Sequence, residues 1–440
     1  MNPEEAATSL PRLSGDRAFW GMISTQFLGA FNDNLFKQLV LLLCVDSVAQ
    51  GGRDFQPVAL ALFAVPFVMF SGLGGYLSDR TGKRLVVVLC KVGEIAVMTL
   101  GLVAFFVGGS DLSLLLGLLF IVLFFMSTQS AFFGPAKYGI LPELFREDDL
   151  PAVNGVVQMT TFLAIIFGMA LAGFTKTWFA DQLWVISLFC IGIAILGTLT
   201  SLLVRKTAIA HPGLEFRASS LLITRETRRM LWNDRPLLKV LLVSSLFWFV
   251  GGVVQPTVNA FGKLQMNYGD GRTSIMAACL GVGIAIGCAT AAKASHKRVN
   301  FGLVKIGSWG IVASLIATGL LGDFFSPLAK TPEKESLWQM LIPISSGEWA
   351  GRIALTSLGI FAGLFVVPLQ VFMQTRPPRD QKGRMIGAMN LMNWIGIVFS
   401  AGFYLAADAA CEAFEIAYSG IFLSLAVVMA PVAVLYSPRH

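Results

Sequence analysis

Apolar side chains run in twelve nearly unbroken stretches, over residues 18–47, 55–77, 85–108, 112–134, 152–177, 181–204, 236–266, 273–293, 302–322, 351–374, 384–408 and 414–437. At about 1.5 Å of rise per residue, each is long enough to cross a hydrocarbon layer of roughly 30 Å as a helix. The stretches at 18–47 and 236–266 exceed that need, so they tilt or include an interfacial turn. The longest cytoplasmic connection, 205–235, falls between the sixth and seventh stretches, separates residues 1–204 from 236–440 and leaves six stretches in each part. The pattern predicts an all-α membrane protein: twelve transmembrane helices in two six-helix halves joined by a linker.

Composition agrees. Hydrophobic residues make up 55% of the chain and charged ones 13%, with mean hydropathy +0.71. A soluble domain carries about a quarter charged residues, so a soluble enzyme and a disordered chain are both excluded. The net charge of +7 is a matter of topology rather than of nucleic acid. With the N-terminus inside, the inner segments hold 22 Lys and Arg and the outer ones 7. That bias places both termini in the cytoplasm. Leu221, Leu222, Arg225, Arg228, Arg229 and Leu231 of the linker read either as a basic surface helix or as a charged tether. The outer connection 323–350, with Pro327, Pro332 and Pro343, reads as a loop without chemistry. Six cysteines lie mostly inside apolar runs without a C-x-x-C pair, and His211, His296 and His440 are scattered. Neither set suggests a disulfide framework, a metal centre or a cofactor. The polar start, Met1 to Asp16, and the long first run do not resemble a cleavable signal.

Polar residues inside the apolar runs are the candidates for chemistry. In the first run, Gln26, Asp33, Asn34, Lys37 and Gln38 fall within an arc of about 140° on a helix. Such a stripe is costly in hydrocarbon and should face a wet cavity or a partner helix. Asp33 and Lys37, four apart, can meet as a structural pair; alternatively Asp33 lines a cavity and meets a cationic group or a proton. The fourth run ends in Phe132-Phe133-Gly134-Pro135-Ala136-Lys137-Tyr138-Gly139-Ile140-Leu141-Pro142-Glu143-Leu144, followed by Asn154 and Thr161. Gly134 and Pro135 are expected to break or end the helix and to present Lys137 either to a cavity, where an ammonium can hold a phosphate, or to the interface. Gly363–Gln370, with Gly383, Arg384, Asn390 and Asn393, is a weak echo of this segment in the second half. Lys91 and Glu94, three apart, are expected to pair, and Lys239 and Lys305 to snorkel.

Gly75-Tyr76-Leu77-Ser78-Asp79-Arg80-Thr81-Gly82-Lys83-Arg84 resembles the signature of major facilitators, G-x-L-a-D-r-x-G-r-k. With the 6+6 pattern it implies the major facilitator fold, whose halves rock about a midplane cavity. Asp79, Arg80, Gly82 and Arg84 are then gating candidates in a cytoplasmic latch. The turn at 293–298 is a degenerate echo. Phe27–Gln38 (F-L-G-A-F-N-D-N-L-F-K-Q), Gly134–Leu144 (G-P-A-K-Y-G-I-L-P-E-L), Asn154 with Thr161–Ala164, and Gly363–Gln370 are more specific. They resemble the lysophospholipid transporter family LplT, also found as the transporter module of bifunctional Aas proteins.

The resemblance implies a monomeric transporter of the bacterial inner membrane. Its substrate would be a lysophospholipid such as 2-acyl-glycerophosphoethanolamine, flipped from the outer to the inner leaflet. Reacylation would fall to a separate Aas-like acyltransferase working with acyl carrier protein. Asp33, Asn34, Lys37, Gln26, Lys137, Asn154 and Gln255 are the implied substrate-binding set. The sequence departs from the family at one of them: members carry a basic residue after S-L-F-W in the seventh run, where this chain has Ser245-Leu246-Phe247-Trp248 followed by Gln255. A proton-coupled exporter of small amphiphiles is the alternative, because it too needs an intramembrane acid. An acyltransferase is excluded: the H-x-x-x-x-D motif is absent, with Phe216 and Phe301 standing five residues after His211 and His296.

Overall fold

Hydrocarbon offers no partner for a free backbone N–H or C=O, so an apolar stretch crossing it must bond within itself. The computed structural model, which describes residues 13–49, 51–146, 149–207, 209, 213, 225–294, 300–324, 335–376 and 382–436, has helices at all twelve stretches and no strand among those residues. The long helices are α1 (Arg17–Ala49), α2 (Gln56–Thr81), α3 (Lys83–Gly108), α4 (Leu112–Gly139), α6 (Leu150–Trp178), α7 (Trp184–Leu202), α9 (Arg235–Ala260), α10 (Asp270–Ala294), α11 (Phe301–Phe324), α13 (Ser346–Thr375) and α14 (Lys382–Ala413). Each is long and apolar enough to span. The twelfth, α15 (Ser419–Leu435), has 17 residues, about 25 Å. Three short helices connect them: α5 (Leu141–Leu144), α8 (Arg225–Asn233) and α12 (Leu337–Leu341). In α8, Leu231 is buried while Arg228, Arg229 and Trp232 are exposed, as a surface helix requires; Leu221 and Leu222 lie outside the described residues.

The expected break at Gly134–Pro135 does not occur. Helix α4 runs through Pro135 to Gly139 before α5 begins. Proline forfeits one bond, to the carbonyl of residue 131, and that carbonyl lies against Gly74 of α2, where a Cβ would stand 3.0 Å away. Likewise Pro368 sits inside α13. In the long seventh run α9 passes into a single π turn, Phe261–Gln265, and Asn267 adopts a left-handed φ of 54° before α10.

The chain forms two compact units. The first comprises Met1–Lys37, Pro66–Gly168 and Asp181–Leu222, the second Gln38–Val65, Met169–Ala180 and Ile223–His440. The cut passes through α1, α2 and α6. In the first unit α3 packs on α4 and α7, and Phe19, Met22, Ile23, Leu141, Leu144, Val153 and Val157 form a buried cluster. In the second, α10 and α13 make the most intimate contact, and α9 packs on α14. The connection after α11 is firmly held where it is described. Arg272, fully buried, donates to both oxygens of Glu335 at 2.8 and 2.9 Å, to Glu348 at 2.9 Å, and to the carbonyls of Gln339 and Ile342. Residues 325–334 lie outside the described set.

Candidate functional site

Residues of the first and fourth runs meet along a seam between α1 and α4 in the first unit. Lys137 Nζ donates to Gln26 Oε1 at 2.9 Å and lies 3.4 Å from Thr161 Oγ1 of α6. Thr161 also donates to Gln26, at 2.8 Å, and Gln26 donates to Thr160. Further along, Ser130 Oγ donates to Asp33 Oδ2 at 2.6 Å. Gln26 to Asp33 and Ser130 to Lys137 are each seven residues, so the two contacts lie about 10 Å apart along antiparallel helices. Among the described residues, no donor reaches the buried acceptors Asp33 Oδ1 and Gln129 Oε1. Lys37 Nζ donates to Asn34 Oδ1 at 3.1 Å, and Asn34 Nδ2 to the carbonyl of Ala30. Asp33, Asn34 and Lys37 are half-buried; Gln26 and Lys137 are buried. The single stripe expected on α1 is thus divided: Gln26 serves Lys137, Asp33 meets Ser130, and Gln38 belongs to the second unit.

Other motif residues build the scaffold. Lys91 Nζ pairs with Glu94 Oε2 at 2.5 Å with both side chains almost inaccessible, as the spacing predicted. Asn32 Nδ2 donates to Glu94 Oε1 at 2.7 Å, and a Cβ on Gly29 would stand 2.0 Å from Lys91 Nζ. The glycine and first asparagine of G-A-F-N-D-N therefore accommodate a buried ion pair on α3. Gly139 and Glu143 receive Lys83: the glycine leaves room for its stem, and the carboxylate pairs with its ammonium. Among the latch candidates, Gly82 has φ 96°, which favours glycine at this turn. Arg84 donates to the carbonyls of Val204 and Leu202 at the end of α7, and Arg80 to Tyr76 Oη. The side chains of Asp79 and Asn154 and the turn at 295–299 lie outside the described residues, as do those of Gly383 and Arg384. Lys239 and Lys305 are exposed.

Two networks in the second unit were not anticipated. Asp46, Lys176, Lys263 and Asp270 close a ring of ion pairs: Lys176 lies 2.6 Å from Asp46 and 2.5 Å from Asp270, and Lys263 lies 2.6 Å from Asp270 and also pairs with Asp46. They come from the ends of α1 and α6, the π turn and the start of α10. The other network is a chain of amides. Gln255 Nε2 donates to Gln38 Oε1 (3.3 Å), Gln38 Nε2 to Asn259 Oδ1 (2.9 Å), and Asn259 Nδ2 to Gln56 Oε1 (2.8 Å). Gln56 Nε2 donates to Asp54 Oδ2 (2.9 Å), which also accepts from Tyr404 Oη (2.9 Å). Gln255 thus heads a structural chain and also touches Met169 Sδ at 3.7 Å. The sequence offered one cue to both networks: charges and amides at the ends of apolar runs.

Many long apolar helices make a multi-pass membrane protein. The chain belongs to the Major Facilitator Superfamily, whose sequence pattern matches residues 18–401. It is similar to proteins named lysophospholipid transporter LplT: 27% identical to that of Cronobacter sakazakii over 88% of each chain, and 28% identical to that of Salmonella gallinarum over 87% of each. Its fold is that of a solved POT family transporter in complex with 5-aminolevulinic acid, at TM-score 0.67 and 13% identity over 98% of both chains. The nucleoside transporter NupG matches at TM-score 0.65 and 13% identity, over 94% of this chain and 98% of that one.

Proposed function

We propose that the chain is a lysophospholipid transporter of the bacterial inner membrane. It moves lysophospholipids such as 2-acyl-glycerophosphoethanolamine from the outer to the inner leaflet by alternating access of its two six-helix halves, residues 1–204 and 236–440, both termini being cytoplasmic. A separate acyltransferase of the Aas kind, working with acyl carrier protein, then reacylates the product, and the transporter acts as a monomer.

The observation that carries this reading is the α1–α4 seam. An acid, Asp33, with one oxygen that no donor among the described residues reaches, stands in one membrane-spanning layer with two lysines, Lys37 one turn away and Lys137 about 10 Å the other way. A headgroup with a phosphate and an ammonium needs both signs of charge. In this reading Asp33 takes the ammonium. Lys137 takes the phosphate by exchanging Gln26 for it, with Lys37 as the second cation. Gln26 and Asn34 orient the lysines, and Asn154 and Gln255 complete the proposed substrate-binding set. Asp79, Arg80, Gly82 and Arg84 latch the cytoplasmic side. The names of the relatives support the substrate class.

The test is uptake of labelled lysophosphatidylethanolamine by spheroplasts lacking a transporter of their own, read as conversion to diacyl lipid. Uptake should appear with this chain. Asp33→Ala and Lys137→Ala should each reduce it at least tenfold, about 1.4 kcal/mol or more of lost recognition. Full uptake by either variant at normal expression would remove that residue from the site. No uptake by a well-expressed wild type would favour a proton-coupled exporter of other amphiphiles.

A further inference from the structure

The connection between α1 and α2 is exposed on both sides of one residue. Gly51, Gly52, Arg53 and Phe55 face outward, whereas Asp54 is 5% exposed. A carboxylate so placed ordinarily has a cation beside it. Among the described residues, Asp54 has neutral partners only: the Gln56 backbone N–H at 2.8 Å, the Gln56 side-chain amide at 2.9 Å and the Tyr404 hydroxyl at 2.9 Å. Neighbouring Arg53 points to solvent. The titratable groups that face Asp54 are all of one kind. They are Cys44 from α1, Tyr404 and Asp408 from α14, and Tyr418 ahead of α15, with Glu412 beyond Asp408. Helix α9 contributes the neutral Pro256 and Asn259 through Gln56. Among the described residues no positive charge offsets a negative one here, and the hydrogen bonds continue without a gap to Gln38 and Gln255.

We propose that Asp54 is a proton-binding site, and that closing this end of the second unit takes up a proton there. The proposal uses alternating access from the reading above but not the identity of the cargo. When the loop, α9 and α14 are packed together, Asp54 is shut among neutral and acidic groups; when they part, water reaches it and the carboxylate is hydrated. Burial raises the pKa of Asp54 in the packed arrangement, and the bonds from Gln56 and Tyr404 offset this only in part. The sign follows from linkage. The closed form binds the proton more tightly than the open form, so closure is favoured as pH falls and opening as pH rises, between the ordinary carboxylate value and the raised one. One proton allows at most a tenfold change in the open-to-closed ratio per pH unit.

The experiment uses the full chain in lipid nanodiscs, its native cysteines replaced, with spin labels at Arg53→Cys and Phe414→Cys, both exposed and both in the second unit. With increasing pH the long-distance population should grow at the expense of the short one. Asp54→Asn mimics the protonated acid and should hold the short distance at every pH. Tyr404→Phe removes a donor that favours the carboxylate, so it should move the transition to higher pH; a purely structural role for the hydroxyl would lower the closed population without moving the transition. An unchanged pH response in Asp54→Asn would overturn the proposal. So would a wild-type distance that does not respond to pH, or a downward shift in Tyr404→Phe. None of these outcomes depends on lysophospholipid transport, so the two ideas fail separately.

Discussion

Gly29 and Gly139 belong to the two most specific strings of the sequence, and both exist to make room for a lysine. Their surroundings differ. Lys91, against Gly29, is fixed by Glu94 and Asn32 in the buried interior, where a Cβ would be only 2.0 Å from its ammonium. Lys83, against Gly139, would meet a Cβ at 2.9 Å from its stem, and its partner Glu143 is partly open to solvent, so it can shift. Gly29→Ala should therefore destabilise by about 1–3 kcal/mol, in the range for an overpacked core, and Gly139→Ala by less. Thermal unfolding of the two variants in detergent checks the order. Equal or reversed losses would mean that Lys91 can leave its pair at little cost. At this scale the sequence was half legible. Asp33, Lys37 and Lys137 stand out as charges in apolar runs, and the Lys91–Glu94 pair follows from a spacing of three. What Lys137 touches could not be read, because Gln26 lies 111 positions away and no local periodicity links two helices.

Helices here approach as closely as their small residues permit, and α10 with α13 is the extreme case. Gly283 and Gly287 lie one turn apart on α10, and Gly359 and Gly363 one turn apart on α13. A Cβ on Gly283 would stand 2.1 Å from the carbonyl oxygen of Thr356, and one on Gly359 2.1 Å from that of Leu280. With reciprocal G-x-x-x-G pairs the backbones themselves are in contact. No side chain is there to yield, so Gly283→Leu or Gly359→Leu should cost more than Gly29→Ala and reduce the yield of monodisperse protein in size-exclusion chromatography. A nearly normal Gly283→Leu would show that this crossing can widen freely. The same scale explains where the reading of elements failed. Twelve helices were legible because length and hydropathy decide spanning. The continuation of α4 through Pro135 was not, because one lost hydrogen bond is a local penalty that packing against Gly74 of α2 outweighs.

For the whole molecule, the ring of Asp46, Lys176, Lys263 and Asp270 makes the sharpest claim. It joins the far ends of α1 and α6, which precede the 205–235 linker, to the π turn and α10, which follow it. In the proposed transport cycle these elements must part when that end opens, so the ring sets how readily opening occurs. Removing one member of a fully buried charge cluster leaves its partners uncompensated and costs about 3–5 kcal/mol, less for Asp46, whose side chain is 29% exposed, whereas replacing the whole cluster with apolar residues of like volume is often neutral or stabilising. Asp46→Asn alone should therefore shift the population strongly towards opening. Asp46→Leu, Asp270→Leu, Lys176→Met and Lys263→Met together should stay closed, and should open less readily than wild type because no water-seeking charges remain to reward separation. Labelling a cysteine placed at Thr257, buried on α9 in the same unit, with a membrane-impermeant reagent distinguishes the cases. Fast labelling of the single variant and slow labelling of the fourfold variant is the expected pair. Fast labelling of both would mean that the ring itself holds the end closed, and slow labelling of both that the neighbouring amide chain from Gln38 to Tyr404 suffices.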